Sequence, residues 1–519
     1  MSALKRLIRT AFDYLEAVLD RLFGSNWNPI AHLGALGFFF YWIVAASGIY
    51  LYIFFDTGVV NAYASVEALT REQWYAGGIL RSFHRYASDA MVLIMAVHIV
   101  REFALDRLRG ARWFTWFTGV PILWFVYASG ITGYWLVWDK LAQYVAVATT
   151  ELLDTLPIFG PSIAGNFLAP ESLDDRFFTL MAFLHIAIPL ILLFVLWIHL
   201  QRLSRPEVNP PKRLAASALA MLFVLSILKP AVSHAPANLA EVPTVLNLDW
   251  FYLVVYPLFD RWGGWPVWGL LFGGSLLLAV LPWLPRLRQA GPATVDLENC
   301  NGCGRCQEDC PYAAVIMGRR TDRRPFRQQA VVDPDLCVRC GICVGTCPTA
   351  TPFRRASALV PGIDLADNWL RGVRERTDAA AATLSGTARI LVFACRHGAD
   401  TGGLAGCRAS AAAVALPCVA ALPPSFIDYA LSRGKADGIV LSGCRDGDCY
   451  NRFGDRWLTL RLARERDPRL RARVPRERIL RVGAAPIHGA RLAAAVDAFA
   501  EAIAGAGEEA PARHEEAVG

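Results

Sequence analysis

Apolar runs along this chain suggest six spans, at about 30–55, 79–101, 113–137, 177–201, 214–232 and 265–284. Helices of such length can cross a hydrocarbon core about 30 Å thick, so the pattern predicts six membrane spans. From about residue 290 the long runs give way to short apolar segments among polar and helical patterns, as soluble domains require. Ahead of the first span, "MSALKRLIRTAFDYLEAVLDRLFGS" begins basic, but Asp13, Glu16 and Asp20 interrupt any signal-peptide core. It reads as an amphipathic helix at the membrane surface, with no cleavable signal apparent.

Two spans carry residues that do not belong in oil. "LHIAIPLILLFVLWIHL" (184–200) holds His185 and His199, fourteen residues apart, and "HRYASDAMVLIMAVH" (84–98) repeats that spacing with His84 and His98. Fourteen residues fall about 40° short of four helical turns, so each pair shares one face and stands about 21 Å apart along the axis. Ionisable residues inside a membrane are costly and face interior sites. A single buried histidine is commonly an ordinary core residue. Four imidazoles in matched pairs on two helices are what two haems need, each with two axial ligands.

Charge adds an orientation. Lys5, Arg6 and Arg9 precede the first span, and Arg101, Arg107, Arg109 and Arg112 fill the second-to-third loop. Arg202, Arg205, Lys212 and Arg213 fill the fourth-to-fifth, and Arg286 and Arg288 follow the sixth. The opposite loops are acidic on balance, with Glu151, Asp154, Glu171, Asp174 and Asp175. The positive-inside rule then places both termini and the soluble half on the cytoplasmic side of a bacterial inner membrane. The net charge of +7 on 519 residues is mostly this topology signal, and nothing else in the chain points to nucleic acid.

Residues 300–311 read "CNGCGRCQEDCP" and 337–348 read "CVRCGICVGTCP". Both are C-x2-C-x2-C-x3-C-P, the run of bacterial two-cluster ferredoxins, in which the fourth cysteine crosses over. The resemblance implies one [4Fe–4S] cluster on Cys300, Cys303, Cys306 and Cys347, and a second on Cys337, Cys340, Cys343 and Cys310. Zinc also binds thiolates, but two complete runs closed by proline argue against it. A reducing compartment argues against disulfides.

Residues 1–285 resemble the cytochrome b of bc-type respiratory complexes, through the first six of its helices. The doubled histidine spacing carries this, with paired glycines at the same spacing, Gly34/Gly48 and Gly119/Gly133. So do "TWFTGVPILWFVYASGITGYWLVW" (115–138) and "LDWFYLVVYPLFD" (248–260). The resemblance implies one haem between His84 and His185 near the outer face and another between His98 and His199 near the cytoplasm. The glycines would let flat porphyrins approach the backbone. Arg81 matches a position that meets a haem propionate in the family, or is an interfacial arginine. The chain departs from the family at its quinone sites. The outer P-E-W-Y motif appears as Leu248-Asp249-Trp250-Phe251, which leaves Asp249 as a carboxylate on a shorter arm. The "PWGQ…WG" stretch appears as Val137-Trp138-Asp139-Lys140, with Val145 in place of a glycine. At the cytoplasmic quinone site, Ser204 and Arg213 stand where the family has His and Asp, which favours the outer site.

Five further cysteines are Cys395, Cys407, Cys418, Cys444 and Cys449. "RILVFAC" (389–395) and "ADGIVLSGC" (436–444) read as strands ending in a cysteine, with helical patterns around them. Residues 388–503 resemble the delta subunit of methyl-viologen-reducing hydrogenase, through "ALPCVAALPPSFIDYALSRGKADGIVLSGCRDGDCY" (415–450). That resemblance implies a [2Fe–2S] cluster on Cys395, Cys418, Cys444 and Cys449. The family's second cysteine is replaced by Arg396-His397-Gly398, and Cys407 either substitutes or is a small buried hydrophobe.

The expected organisation is multidomain. A six-helix transmembrane cytochrome b bundle (1–285) precedes an α+β ferredoxin domain (291–352), a linker (353–387), a small α/β iron–sulfur domain (388–503) and a disordered tail (504–519). The chain reads as a quinone oxidoreductase subunit in the lipid bilayer, linking membrane quinone to a cytoplasmic flavin- or NAD(H)-containing dehydrogenase subunit. It shows no dinucleotide-binding glycine motif and no hydrogenase metal signature of its own. Bc-type quinol oxidation with a Rieske protein and cytochrome c is the alternative, and a non-catalytic redox sensor or anchor is a third. The direction of electron flow and a homodimer stay open.

Overall fold

The computed structural model describes the chain except residues 1–2, 25–26, 159–161, 169–172, 202–207, 244, 285–290, 355–358, 367–368, 405–408, 446–448, 487 and 509–519. The readings of Glu171, Arg202, Ser204, Arg205, Arg286, Arg288, Cys407 and most of the tail lie outside the described residues. The chain forms two compact units, Met1–Arg286 and Leu287–Gly519.

The first unit is built of helices: α1 (Ala3–Phe23), α2 (Leu33–Phe54), α3 (Asn61–Arg71), α4 (Ile79–Ala104), α5 (Trp113–Val137), α6 (Lys140–Asp154), α7 (Ile163–Phe167), α8 (Asp175–Gln201), α9 (Lys212–Leu228), α10 (Val255–Trp262) and α11 (Gly264–Val280). Among the described residues, four segments are long and apolar enough to cross a membrane: Pro29–Phe54, Trp113–Val137, Asp175–Gln201 and Gly264–Trp283. The other two expected spans are less plain. α4 has the length, at 26 residues, but Arg81, His84, Arg85, Asp89 and His98 dilute its apolar character. α9 stops at Leu228 after 17 residues, short of the expected 232.

Packing in this unit follows two helix pairs, α2 along α4 and α5 along α8. Tyr41 of α2 ties the pairs together by donating to the Pro189 carbonyl of α8 at 2.9 Å. That carbonyl lies in a helix already interrupted by proline. Between α5 and α8, Trp135 stacks on Phe177 with centroids 5.6 Å apart. Asp139 closes the turn after α5: it caps α6 at the Ala142 amide and also accepts from the His234 amide, each at 2.8 Å. The amphipathic α1 turns Phe12 and Glu16 inward, and Glu16 pairs with buried Arg101 of α4 at 2.9 Å. Removing one partner of such a pair costs about 3–5 kcal/mol, because the other charge stays buried.

The second unit begins with β1 (Thr294–Val295), α12 (Arg305–Asp309), β2 (Val315–Arg319), β3 (Gln328–Val332) and α13 (Ile342–Thr346). It continues through β4 (Ile363–Asp364), α14 (Trp369–Ala382), β5 (Ile390–Cys395), β6 (Ala411–Leu416), α15 (Pro424–Ser432), β7 (Gly438–Gly443), α16 (Gly454–Leu462), β8 (Ile479–Gly483) and α17 (Gly489–Glu508). β2 and β3 form an antiparallel hairpin, and β6-β5-β7-β8 form a parallel sheet. "ILVFAC" and "GIVLSG" are buried along their whole length, as central strands of a sheet covered on both faces must be.

The stretch expected to be a linker is structured. β4 pairs antiparallel with β1, and α14 buries Leu370, Val373 and Thr377 at helical spacing. Its sequence looks polar because arginine and alanine fill the other positions. Ile342 and Val344 of the ferredoxin-like part share one core with Leu416, Val419 and Phe426 of the α/β part. α17 runs to Glu508, past the expected domain end.

Candidate functional site

The four membrane histidines meet in the expected pairs. The His84 and His185 ring centroids lie 6.0 Å apart. Two metal–imidazole bonds of about 2 Å each, with the half-widths of the two rings, span such a separation, so the pair fits one bis-histidine iron. At the other level, His98 and His199 are close enough for their charges to interact, with Glu102 beside both.

The backbone prepares these rings for a metal. His84 Nδ1 lies 2.9 Å from the Val44 carbonyl, and His185 Nδ1 lies 2.9 Å from the Ser129 carbonyl. A carbonyl only accepts, so in His84 and His185 Nδ1 is the protonated nitrogen and Nε2 keeps its lone pair. Hydroxyls stand beside Nδ1 nitrogens: Ser47 at 3.3 Å from His84, Thr132 at 3.3 Å from His185, and Thr118 at 3.1 Å from His199. Ser47, Thr118 and Thr132 each directly precede one of the spaced glycines, and the Val44 and Ser129 carbonyls lie four residues before Gly48 and Gly133.

Among the protein's own side chains, the nearest to each spaced glycine is an imidazole. A Cβ at Gly48 would meet His84 Cε1 at 2.9 Å, and one at Gly133 would meet His185 Cε1 at 2.7 Å. Gly34 and Gly119 face His98 and His199 less tightly, at 3.7 and 3.6 Å.

Asp249 is held from two sides. Arg85 forms an ion pair with its Oδ2, and the Tyr134 hydroxyl donates to the same oxygen at 2.6 Å. Arg85 also lies 4.4 Å from the Tyr134 ring centroid and reaches Asp89 at 3.4 Å. Arg81 is engaged by Thr70, by Ser233 at 2.8 Å and by Glu67 at 3.6 Å. Arg213 lies over the Trp27 ring at 4.0 Å, and Val145 is fully buried.

In the second unit, one small pocket is lined by Cys300, Cys303, Cys306 and Cys347, the crossover set. Among the described residues no three metal-binding side chains converge on one ion, whereas four thiols around a cavity suit a polynuclear cluster. Burial and the neighbouring Cys347, Cys303 and Cys300 push Cys306 up to about 12. Iron would have to displace that proton. Cys310, Cys337, Cys340 and Cys343 lie within electrostatic reach of one another. Backbone amides donate to two of those sulfurs, Ala314 to Cys310 at 3.3 Å and Ala293 to Cys337 at 3.5 Å.

Cys395, Cys418, Cys444 and Cys449 are all buried and converge at the carboxyl ends of β5, β6 and β7. Cys395 Sγ lies 3.9 Å from Cys444 Sγ, and Cys395 with Cys418, like Cys444 with Cys449, lies within electrostatic reach. The neighbouring Cys418, with burial, pushes Cys395 up to about 12. This set adjoins the ferredoxin-like part, since Cys418 is within electrostatic reach of Cys340.

Comparison with known families divides the chain in the same order. Residues 18–206 match the family described as cytochrome b/b6/petB, residues 294–351 a 4Fe-4S dicluster domain, and residues 390–507 the methyl-viologen-reducing hydrogenase delta subunit. The chain is a fusion of these three domain types. Cytochrome b of Rhodospirillum rubrum is 25% identical over 50% of this chain and 71% of its own length. Cytochrome b6 of Stigeoclonium helveticum is 28% identical over 38% of this chain and 94% of its own. A solved chain of a hyperthermophilic respiratory Complex III covers 49% of this chain and 75% of its own, at 22% identity and a TM-score of 0.41. The fusion is therefore an electron-transport membrane protein whose cytochrome b domain implies b-type haem and whose dicluster domain implies [4Fe–4S] clusters.

Sequence reasoning missed Arg85 and Tyr134, which hold Asp249, and the hydroxyls of Ser47, Thr118 and Thr132. A signal for the hydroxyls was present, as a Ser-Gly or Thr-Gly pair at Ser47-Gly48, Thr118-Gly119 and Thr132-Gly133.

Proposed function

We propose that this fusion conducts electrons between a cytoplasmic flavin- or NAD(H)-containing dehydrogenase subunit and the membrane quinone pool. The observation that carries the reading is the pairing of imidazoles from α4 and α8, with His84 and His185 each anchored at Nδ1 by a backbone carbonyl. In this reading α4 and α9 span the membrane with the four apolar segments, and both termini lie in the cytoplasm. His84 with His185 holds the outer b haem, and His98 with His199 holds the inner one. Cys300, Cys303, Cys306 and Cys347 hold one [4Fe–4S] cluster; Cys337, Cys340, Cys343 and Cys310 hold the other. Cys395, Cys418, Cys444 and Cys449 hold a [2Fe–2S] cluster.

When bound, these groups supply one-electron steps, while quinone exchanges two electrons and two protons. The protein's part is to hold and to manage protons. The Val44 and Ser129 carbonyls fix the tautomers of His84 and His185. Asp249 is the proton-exchanging group at the outer quinone site, oriented by Arg85 and Tyr134.

The test is a difference spectrum of the purified protein. Quinol is expected to reduce b-type haem, or quinone to reoxidise haem reduced by dithionite. Haem that responds to dithionite but to neither quinol nor quinone would overturn the quinone assignment.

A further inference from the structure

A buried cation sits between the Cys418 site and the second dicluster site, and the proposed electron path does not use it. Arg461 of α16 has no exposed side-chain surface. Its Nη1 donates to the Ala420 carbonyl at 2.9 Å, two residues beyond Cys418. Its Nη2 donates to Asp309 Oδ2 at 2.5 Å, and Asp309 immediately precedes Cys310. The remaining donor, Nε, is buried and finds no partner among the described residues.

The same helix presses on the cysteine. A Cβ at Gly454, where α16 begins, would sit 2.6 Å from Cys418 Sγ. Arg461 is itself close enough to Cys418 for the sulfur's charge to act on the guanidinium. The local charge is unbalanced, because Asp309 also accepts from Arg466 Nε at 2.7 Å. Two guanidiniums against one carboxylate leave a net positive charge in a site shielded from water. A buried charge and an idle buried N–H are both costly, and negative charge arriving at the adjacent sulfurs offsets both.

We propose that Arg461 raises the reduction potential of the cluster held by Cys395, Cys418, Cys444 and Cys449, with its Nε donating to sulfur at that site. This rests on the [2Fe–2S] assignment above. One-electron reduction adds one negative charge in a low-dielectric site, and a fixed guanidinium stabilises that state more than the oxidised one. Asp309 acts with the opposite sign, and the balance between them sets the step to the neighbouring Cys340 cluster.

Redox titration of the purified full-length protein, followed by electron paramagnetic resonance, tests this with three variants. Arg461→Met is expected to shift the reduction equilibrium of the Cys418-dependent signal at least tenfold towards the oxidised form, about 59 mV downward for one electron. Asp309→Asn, of nearly unchanged shape, is expected to shift it upward. Arg461→Lys is expected to stay nearer the wild type than Arg461→Met. Disruption of packing alone would not give opposite signs for the two partners. An unchanged midpoint in Arg461→Met, or shifts of the same sign in Arg461→Met and Asp309→Asn, overturns the role of Arg461. If Arg461→Met assembles no cluster, the sign of the Asp309→Asn shift decides. Wild-type protein with iron for two [4Fe–4S] clusters and no Cys418-dependent signal overturns the cofactor assignment itself, and this role with it.

Discussion

Arg85 and Asp249 form an ion pair across 164 residues of sequence. The partners of Asp249 are sequence neighbours of the haem-level residues: Arg85 follows His84, and Tyr134 follows Gly133, which faces His185. The carboxylate is thereby fixed beside one histidine pair. Asp249→Asn keeps the shape of the contact and removes the proton acceptor. It is expected to slow quinol-driven haem reduction by about 100-fold or more, with both haem bands intact. Stopped-flow spectroscopy measures the rate; an unaltered rate would show that protons leave by another group.

The glycines divide into two classes. At Gly48 and Gly133 an added methyl would collide with the His84 and His185 rings, and overpacking of this kind costs about 1–3 kcal/mol. Gly48→Ala and Gly133→Ala should each displace a ligand and shift or deplete the His84/His185 haem. At Gly34 and Gly119 the nearest protein atoms, on His98 and His199, stand at ordinary contact distance. Haem content and the difference spectrum of Gly48→Ala and Gly133→Ala provide the check.

Cys395, Cys418, Cys444 and Cys449 are four buried thiols gathered at one place. Cys418→Ser is therefore expected to remove two irons per chain and the [2Fe–2S] signal. Cys407→Ser should retain both. Iron analysis and electron paramagnetic resonance of the two variants provide the check, and loss of the signal in Cys407→Ser would make that residue a ligand.

Asp364 supplies a pH dependence. It caps α14, accepting from the Leu370 amide at 3.2 Å, and burial raises its carboxyl to about 6. A folded-state value above the ordinary 3.8 means that folding favours the protonated form. Its contribution is thus complete below about pH 4 and is lost as pH rises through 6. The total is up to about 3 kcal/mol. Urea unfolding followed by Trp369 fluorescence should show stability falling between pH 5 and 7.5 in the wild type, with a flatter profile in Asp364→Asn.

The histidine pairing was legible because a helix converts a spacing of fourteen into one face, and two helices repeated it. The two dicluster cysteine runs were legible because each is a complete local motif. What stayed hidden depends on distance in the chain. Nothing around Arg85 names Asp249, and nothing around Asp309 names Arg461, 152 residues away. α14 was hidden for a different reason: three buried positions suffice to dock a helix whose remaining residues read as a solvated connector.

Ile342, Val344, Val419 and Phe426 share one core, and β4 pairs with β1, so among the described residues no free tether separates the two parts of the second unit. Many redox chains carry a small electron carrier on a swinging linker, so that viscosity and linker length limit turnover. Here the carrier is cast into its neighbour. Transfer between the Cys340 and Cys418 sites should be insensitive to solvent viscosity, and the ferredoxin-like part cannot be cut out and exchanged as a cassette without exposing the apolar surface it shares.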